Sequence, residues 1–123
     1  MKNYKKGNVY LVNLNNSYPN IQNGRRPCII VQNDYANTFS KTLIVVPITT
    51  KIKRTDLPIH VRIDSKQMAL CEHIFTISKE QIICYQYTLK RSTMKDIDEA
   101  ISISLSLKAV SYTHLTLPTT SRV

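Results

Sequence analysis

The chain has 123 residues, of which 42% are hydrophobic, so one domain with a modest core is expected. No apolar run approaches the roughly 20 residues of a membrane-spanning helix, and the basic N-terminus reads as a first strand, not as a signal peptide. We therefore expect no membrane association and a cytoplasmic protein. The formal net charge is +9, and residues 1–91 carry all of the excess, which favours a polyanion or an acidic protein as partner.

The first half of the chain alternates strand signals with loops. Apolar and β-branched residues predict strands at 8–14, 28–32 and 42–49. A long loop rich in Asn, Pro and Gly joins the first two, and long loops in compact domains are often functional. Residues 33–41 read as a second loop. Pro47, near the end of the third strand, suggests an edge or bulge position.

The next part of the chain continues the strand pattern. Residues 59–64 alternate between apolar and polar, which predicts a half-buried strand with His60 on its outward face. Residues 68–78 read as one further strand, and residues 81–89 as another.

The hydrophobic period changes at Ser92, where a helix is predicted. Thr93 and Asp96 resemble a capping arrangement. Steps of three and four residues then mark an amphipathic helix with the apolar stripe Met94, Ile97, Ile101 and Leu105. Five or six short strands and one terminal helix indicate a mainly β (α+β) fold, a small antiparallel β-barrel. We assign residues 1–108 to this domain and expect residues 109–123 to be a non-native or disordered tail.

The three cysteines, Cys28, Cys71 and Cys84, give no sign of a special chemistry. Their number is odd and no Cys-x-x-Cys spacing occurs, which argues against a disulfide framework and a zinc site. We predict that they are buried small hydrophobic residues and bind no metal.

Several motifs, taken in order and spacing, resemble the MazF/PemK family of endoribonuclease toxins. The motifs are G-x-V-Y at 7–10, G-x-R-P at 24–27, V-Q-N-D at 31–34 and P-I-T at 47–49, and residues 57–64, 70–82 and 94–107 continue the match. The resemblance covers about residues 3–107. It implies an SH3-like barrel with a C-terminal helix that works as a homodimer. It also implies metal-independent, cofactor-free cleavage of single-stranded RNA, and neutralisation by a cognate acidic antitoxin.

RNA cleavage without a metal ion requires particular side chains at the cleavage site. The ribose 2′-OH attacks the neighbouring phosphate, so a catalyst must move protons and stabilise charge on the phosphoryl oxygens. A planar guanidinium offers paired donors to such oxygens, and a hydroxyl adds another. Arg26 and Thr49 match the family's catalytic Arg and Thr. A guanidinium pKa above about 12 makes Arg26 a poor base, so a role as electrostatic clamp or acid is easier.

Further residues are candidates for RNA binding. The basic run after Thr49 suits contacts to the RNA backbone, but charge runs are also common in solvated loops, and both interpretations stay open. His60 matches a family His, and a structural or RNA-lining role is favoured over a catalytic one. The loop aromatics Tyr18, Tyr35 and Phe39 could stack on bases or pack over the barrel mouth. The candidate RNA-binding set is Gln22, Arg25, Lys51, Lys53, Arg54 and His60.

Arg25 stands where the family often has an apolar or small residue, and it could contact a phosphate or face water. Two other departures from the family pattern raise doubt about the function. Ile21 stands where the family commonly has an acid, and Phe75 where it often has a basic residue. Two alternative functions are therefore kept: a non-enzymatic inhibitor of DNA gyrase like the related CcdB group, and an RNA-binding barrel that does not cleave.

Overall fold

The computed structural model describes residues 3–15, 22–52 and 56–108. Seven strands, two α-helices and a single 3-10 turn at Lys79–Gln81 account for the regular structure of these residues. In chain order the elements are β1 Asn8–Asn13, β2 Arg25–Ile30, α1 Asp34–Phe39, β3 Thr42–Thr49, β4 His60–Arg62, β5 Met68–Leu70, β6 Phe75–Ser78, β7 Ile82–Thr88 and α2 Arg91–Ser104.

The strands form one antiparallel sheet in the order β4-β5-β3-β2-β1-β7, and β6 also pairs with β3. β3 is the central strand, because it pairs with β2 along one edge and with β6 and then β5 along the other. Among the described residues, β4 and β7 do not pair with each other, so the sheet is barrel-like without being closed. The predicted mainly β fold with a C-terminal helix is confirmed.

Both faces of the sheet are buried around β1, β2 and β3, because successive side chains of a strand point to opposite faces. One face carries a cluster around Tyr10, Val12 and Cys28. The other face packs against α2. Burying each large aliphatic side chain contributes about 1.5–3 kcal/mol, so this double-sided packing provides the main stabilisation. The helix contributes Met94, Ile97 and Ala100 to the second cluster.

The sequence-based expectations for α2 need two corrections. The helix begins at Arg91, and Lys90 occupies the N-cap without a side-chain cap, so the predicted Thr93–Asp96 cap is wrong. The helix ends at Ser104, so Leu105, which was predicted as part of the apolar stripe, lies beyond the helix and is exposed. Neither α-helix of the described segments is suited by length and apolar character to cross a bilayer. The predicted tail at 109–123 lies outside the described residues.

Three other predictions in the sheet region are wrong. Residues 34–39 form the short helix α1 and not a loop, because Asn33 caps it by accepting a hydrogen bond from the Ala36 N–H at 2.9 Å. The single strand predicted at 68–78 is two strands, β5 and β6, separated by a turn that contains Glu72. For Pro47 only the edge alternative is wrong, because β3 is a central strand, and the residue lies at the irregular point where β3 changes partner from β6 to β5.

Candidate active site

The two residues that match catalytic positions lie at the open end of the β2–β3 hairpin. The strands pair antiparallel, and their last observed pair at this end is Cys28 with Pro47. If the same register is extended by two residues, Arg26 stands opposite Thr49 and on the same face of the sheet. Directly opposed residues present their side chains on the same sheet face, with Cβ atoms about 4.5–5.5 Å apart. The two residues, distant in the sequence, thus come from neighbouring strand ends at the same end of the sheet.

Arg26 is half-buried and held by the turn that precedes β2. Its Nε donates a hydrogen bond to the backbone carbonyl of Asn23 at 3.1 Å. Gly24 adopts φ +74, a left-handed conformation that favours glycine, and its N–H donates to the Asn23 side chain at 2.8 Å. Within the described residues, no carboxylate pairs with the Arg26 guanidinium. Its two Nη groups therefore suit an external phosphate, which guanidinium binds through paired hydrogen bonds.

Thr49 is buried at 3% exposure, which the sequence pattern did not predict. Its Oγ1 accepts a hydrogen bond from the backbone N–H of Lys51 at 3.1 Å. A hydroxyl can accept and donate at the same time, so this bond fixes the oxygen and directs its own proton elsewhere. The Lys51 bond thus prepares Thr49 as a donor.

The other predicted RNA-binding residues are placed differently. Arg25 lies in β2 opposite Asn13, and strand alternation puts its side chain on the face opposite to that of Arg26. Gln22 is half-buried just before the turn, and Lys51 is exposed just beyond Thr49. Lys53 and Arg54 lie outside the described residues.

His60 is not on an outward face, so that expectation is wrong. Its side chain is only 5% exposed, and its Nε2 lies 2.9 Å from the Glu72 Oε2. The turn after β5 places Glu72 against the three-residue strand β4, which carries His60. Strand β5 lies between β4 and β3. His60 pairs with Leu70 of β5, whereas Thr49 pairs with Met68, so His60 is not next to Thr49.

The three cysteines differ in exposure. Burial raises the pKa of Cys28 to about 12, although the positive charge of Arg26 partly opposes the shift. Burial also raises the pKa of Cys71 to about 12, and the nearby Glu72 adds to the effect. Both thiols therefore stay protonated at neutral pH and behave as predicted. Cys84 is exposed on β7, so the prediction that all three are buried is wrong.

The two departures from the family pattern have different outcomes. Phe75 begins β6, where it is half-buried and stacks on the His73 ring with centroids 6.4 Å apart. Ile21 and the aromatic Tyr18 lie outside the described residues. Sequence reasoning missed the role of Asn23 as the carbonyl that orients Arg26, although its Asn-Gly pair is a recognised turn signal.

Comparison with known proteins adds an independent line of information. A family model described as the PemK-like, MazF-like toxin of type II toxin-antitoxin systems matches residues 5–105. The chain belongs to this family. The resemblance inferred from the motifs is thereby confirmed over nearly the whole described domain.

Individual relatives agree with this membership. Endoribonuclease EndoA of Bacillus subtilis (strain 168) is 39% identical over 110 residues, covering 84% of this chain and 95% of that protein. An endoribonuclease from mycobacterial species, solved in complex with its cognate antitoxin, superposes with a TM-score of 0.74 at 24% identity, covering 87% of this chain and 99% of that chain. MazF from Deinococcus radiodurans superposes with a TM-score of 0.74 at 13% identity, covering 86% and 99%. These structural matches support the fold.

Proposed function

We propose that this protein is a toxin endoribonuclease that cleaves single-stranded RNA without a metal ion, at selected sequences. The observation that carries the proposal is the antiparallel pairing of β2 with β3, whose ends next to the Cys28–Pro47 pair carry Arg26 and Thr49. Family membership and the relative EndoA, which is named an endoribonuclease, support the same reaction. The gyrase-inhibitor alternative is not favoured by these relatives.

The reaction assigns a role to each of the two groups. The 2′-oxygen attacks the adjacent phosphorus, a new P–O bond forms, and the bond to the 5′-oxygen breaks. The 2′-OH loses its proton, and the leaving 5′-oxygen gains one. Negative charge grows on the non-bridging oxygens in between, and donors fixed in advance stabilise it most. Arg26 supplies paired Nη donors, and Thr49 supplies one O–H whose oxygen is held by Lys51.

The surrounding charges suit a polyanionic substrate and an acidic inhibitor. Lys51, just beyond Thr49, is exposed and has no acidic partner among the described residues. Together with Lys53 and Arg54 it would contact RNA phosphates and give salt-dependent affinity. A cognate antitoxin with an acidic segment would compete for the same basic residues, and the active protein would be a homodimer.

The test is cleavage of a long single-stranded RNA by the purified protein in EDTA, with cut sites mapped by primer extension. Arg26→Ala should abolish cutting, since it removes the main charge on the scissile phosphate. Arg62→Ala is the matched control, because it removes an exposed arginine that bonds only to loop carbonyls of residues 64 and 65. Intact RNA with the unmutated protein would contradict the proposal. Binding without cutting would favour the non-cleaving barrel, and gyrase inhibition would favour the CcdB-like alternative.

A further inference from the structure

Two aromatic rings are displayed on the surface of α1 without any cover. Tyr35 is 77% exposed and Phe39 is 72% exposed, and their ring centroids lie 4.9 Å apart with the planes tilted by 49°. These exposures exclude the alternative that the two rings pack over the barrel mouth. Adjacent exposed aromatic rings of this kind commonly mark a binding surface.

The helix that carries the rings is firmly anchored in spite of its shortness. The Asn37 side chain is buried, and it donates to the Gln32 carbonyl at 2.9 Å and accepts from the Gln32 amide at 3.0 Å. The Lys79 ammonium donates to the Asn37 carbonyl at 2.6 Å. Because these hydrogen bonds hold α1 in place, a ligand that binds the rings does not have to order the helix first. This lowers the entropic cost of binding.

Exposed lysines lie near both ends of α1, whose own acidic residue is Asp34 at its beginning. Lys41 follows the end of the helix. Lys5 lies near its beginning, because the neighbouring Lys6 donates its backbone N–H to Asp34 at 2.7 Å. Lys5 and Lys41 are exposed, and neither has an acidic partner in the described part of the chain. Cations flanking exposed aromatic rings suit a single-stranded nucleic acid, whose bases stack while its phosphates are neutralised. A second copy of this chain would bring like charges together.

We infer that Tyr35 and Phe39 form a stacking platform for unpaired bases of the RNA substrate, remote from the cleavage site. The inference rests on the proposed function for its ligand. α1 connects β2 to β3 at the closed end of the hairpin, whereas Arg26 and Thr49 lie at the open end. From Arg26 to Ile30 alone, β2 extends by about 13 Å. Only an RNA several nucleotides long can therefore reach the platform and the cleavage site together.

The affinity for RNA should therefore depend on RNA length, which Arg26 and Thr49 alone would not cause. The platform strengthens the binding of long RNA, and it leaves both the binding of short RNA and the chemical step unchanged. Bases stack on any exposed ring face, so this contribution is also largely independent of sequence.

Binding of 2′-O-methyl RNA by fluorescence anisotropy tests the platform, because the blocked 2′-oxygen prevents cleavage. Two lengths are compared, about 4 and about 16 nucleotides, which bracket the usual single-strand site sizes. Tyr35→Leu and Phe39→Leu keep apolar bulk and helix propensity but remove the ring faces. Each should weaken binding of the longer RNA about five-fold or more and leave the shorter unchanged. Leu107→Ala, which truncates an apolar side chain that is 76% exposed elsewhere, is the matched control and should change neither.

Thermal unfolding of each variant separates binding from folding. The inference is overturned if folded Tyr35→Leu and Phe39→Leu proteins bind the longer RNA as the unmutated protein does. It is also overturned if Tyr35→Ala leaves RNA binding intact but shifts the monomer–dimer equilibrium in sedimentation, since the rings would then serve a protein interface. Failure of the proposed function is a different result: unmodified RNA would stay uncut in EDTA, whatever the binding to methylated RNA shows.

Discussion

Replacing Thr49 by valine separates the proposed catalytic role of the hydroxyl from its structural role. Valine keeps the shape of the buried side chain but removes the oxygen that accepts the Lys51 N–H. Because that bond is only partly buried, the loss costs about 1 kcal/mol of unfolding free energy, the lower end for an unsatisfied group. For a domain of this size the melting temperature should fall by about 4 °C, which leaves the protein folded at 25 °C.

The effect on cleavage should be far larger than the effect on stability. Loss of one fixed donor to a developing phosphoryl charge lowers the rate by about 100- to 1000-fold. Single-turnover cleavage of RNA at 25 °C measures this rate, and thermal unfolding measures stability on the same samples. Thr49→Ser is the matched control, because it keeps the hydroxyl and should retain most of the activity. A folded Thr49→Val protein that cleaves within a few-fold of the unmutated rate would refute the reasoning.

Two further predictions concern groups outside the catalytic pair. Burial raises the pKa of Cys28 and Cys71 from 9.0 to about 12, so a thiol reagent at pH 8 should label only Cys84 until the protein unfolds. Between pH 9 and 12 the unfolded thiols ionise while the folded ones stay protonated. The unfolding free energy should therefore fall by about 1.4 kcal/mol per pH unit for each buried thiol, and urea midpoints that do not change over that range would contradict this. His60→Ala breaks the contact with Glu72 and should lower the melting temperature, with the cleavage rate at 25 °C unchanged; a slower rate without lower stability would instead indicate a role in RNA binding.

The strands were predictable wherever a continuous apolar run carried the signal. β3 extends from Thr42 to Thr49, as its apolar residues predict, and β7 lies within the predicted 81–89. The helix α1 was not predictable from composition, because its sequence is typical of turns. What stabilises it is a tertiary network in which the buried Asn37 side chain bonds to Gln32. Tertiary contacts of this kind override weak local propensity.

The candidate site was predictable in its residue types but not in its geometry. Motif resemblance pointed to Arg26 and Thr49, yet no local pattern states which strand register joins them. That register follows from long-range pairing of β2 with β3, which is visible only in the folded sheet. Burial of His60 was missed for the same reason, because the alternation in its strand says nothing about Glu72 of a later turn.

A double-mutant cycle on RNA cleavage tests most directly whether one guanidinium and one hydroxyl act on the same phosphate. Single-turnover rates are measured for the unmutated protein, Arg26→Ala, Thr49→Val and the double variant. Groups that stabilise one transition state are strongly non-additive, so the double variant should be little slower than Arg26→Ala alone. Rate losses that multiply as independent effects would show that the two side chains do not act together.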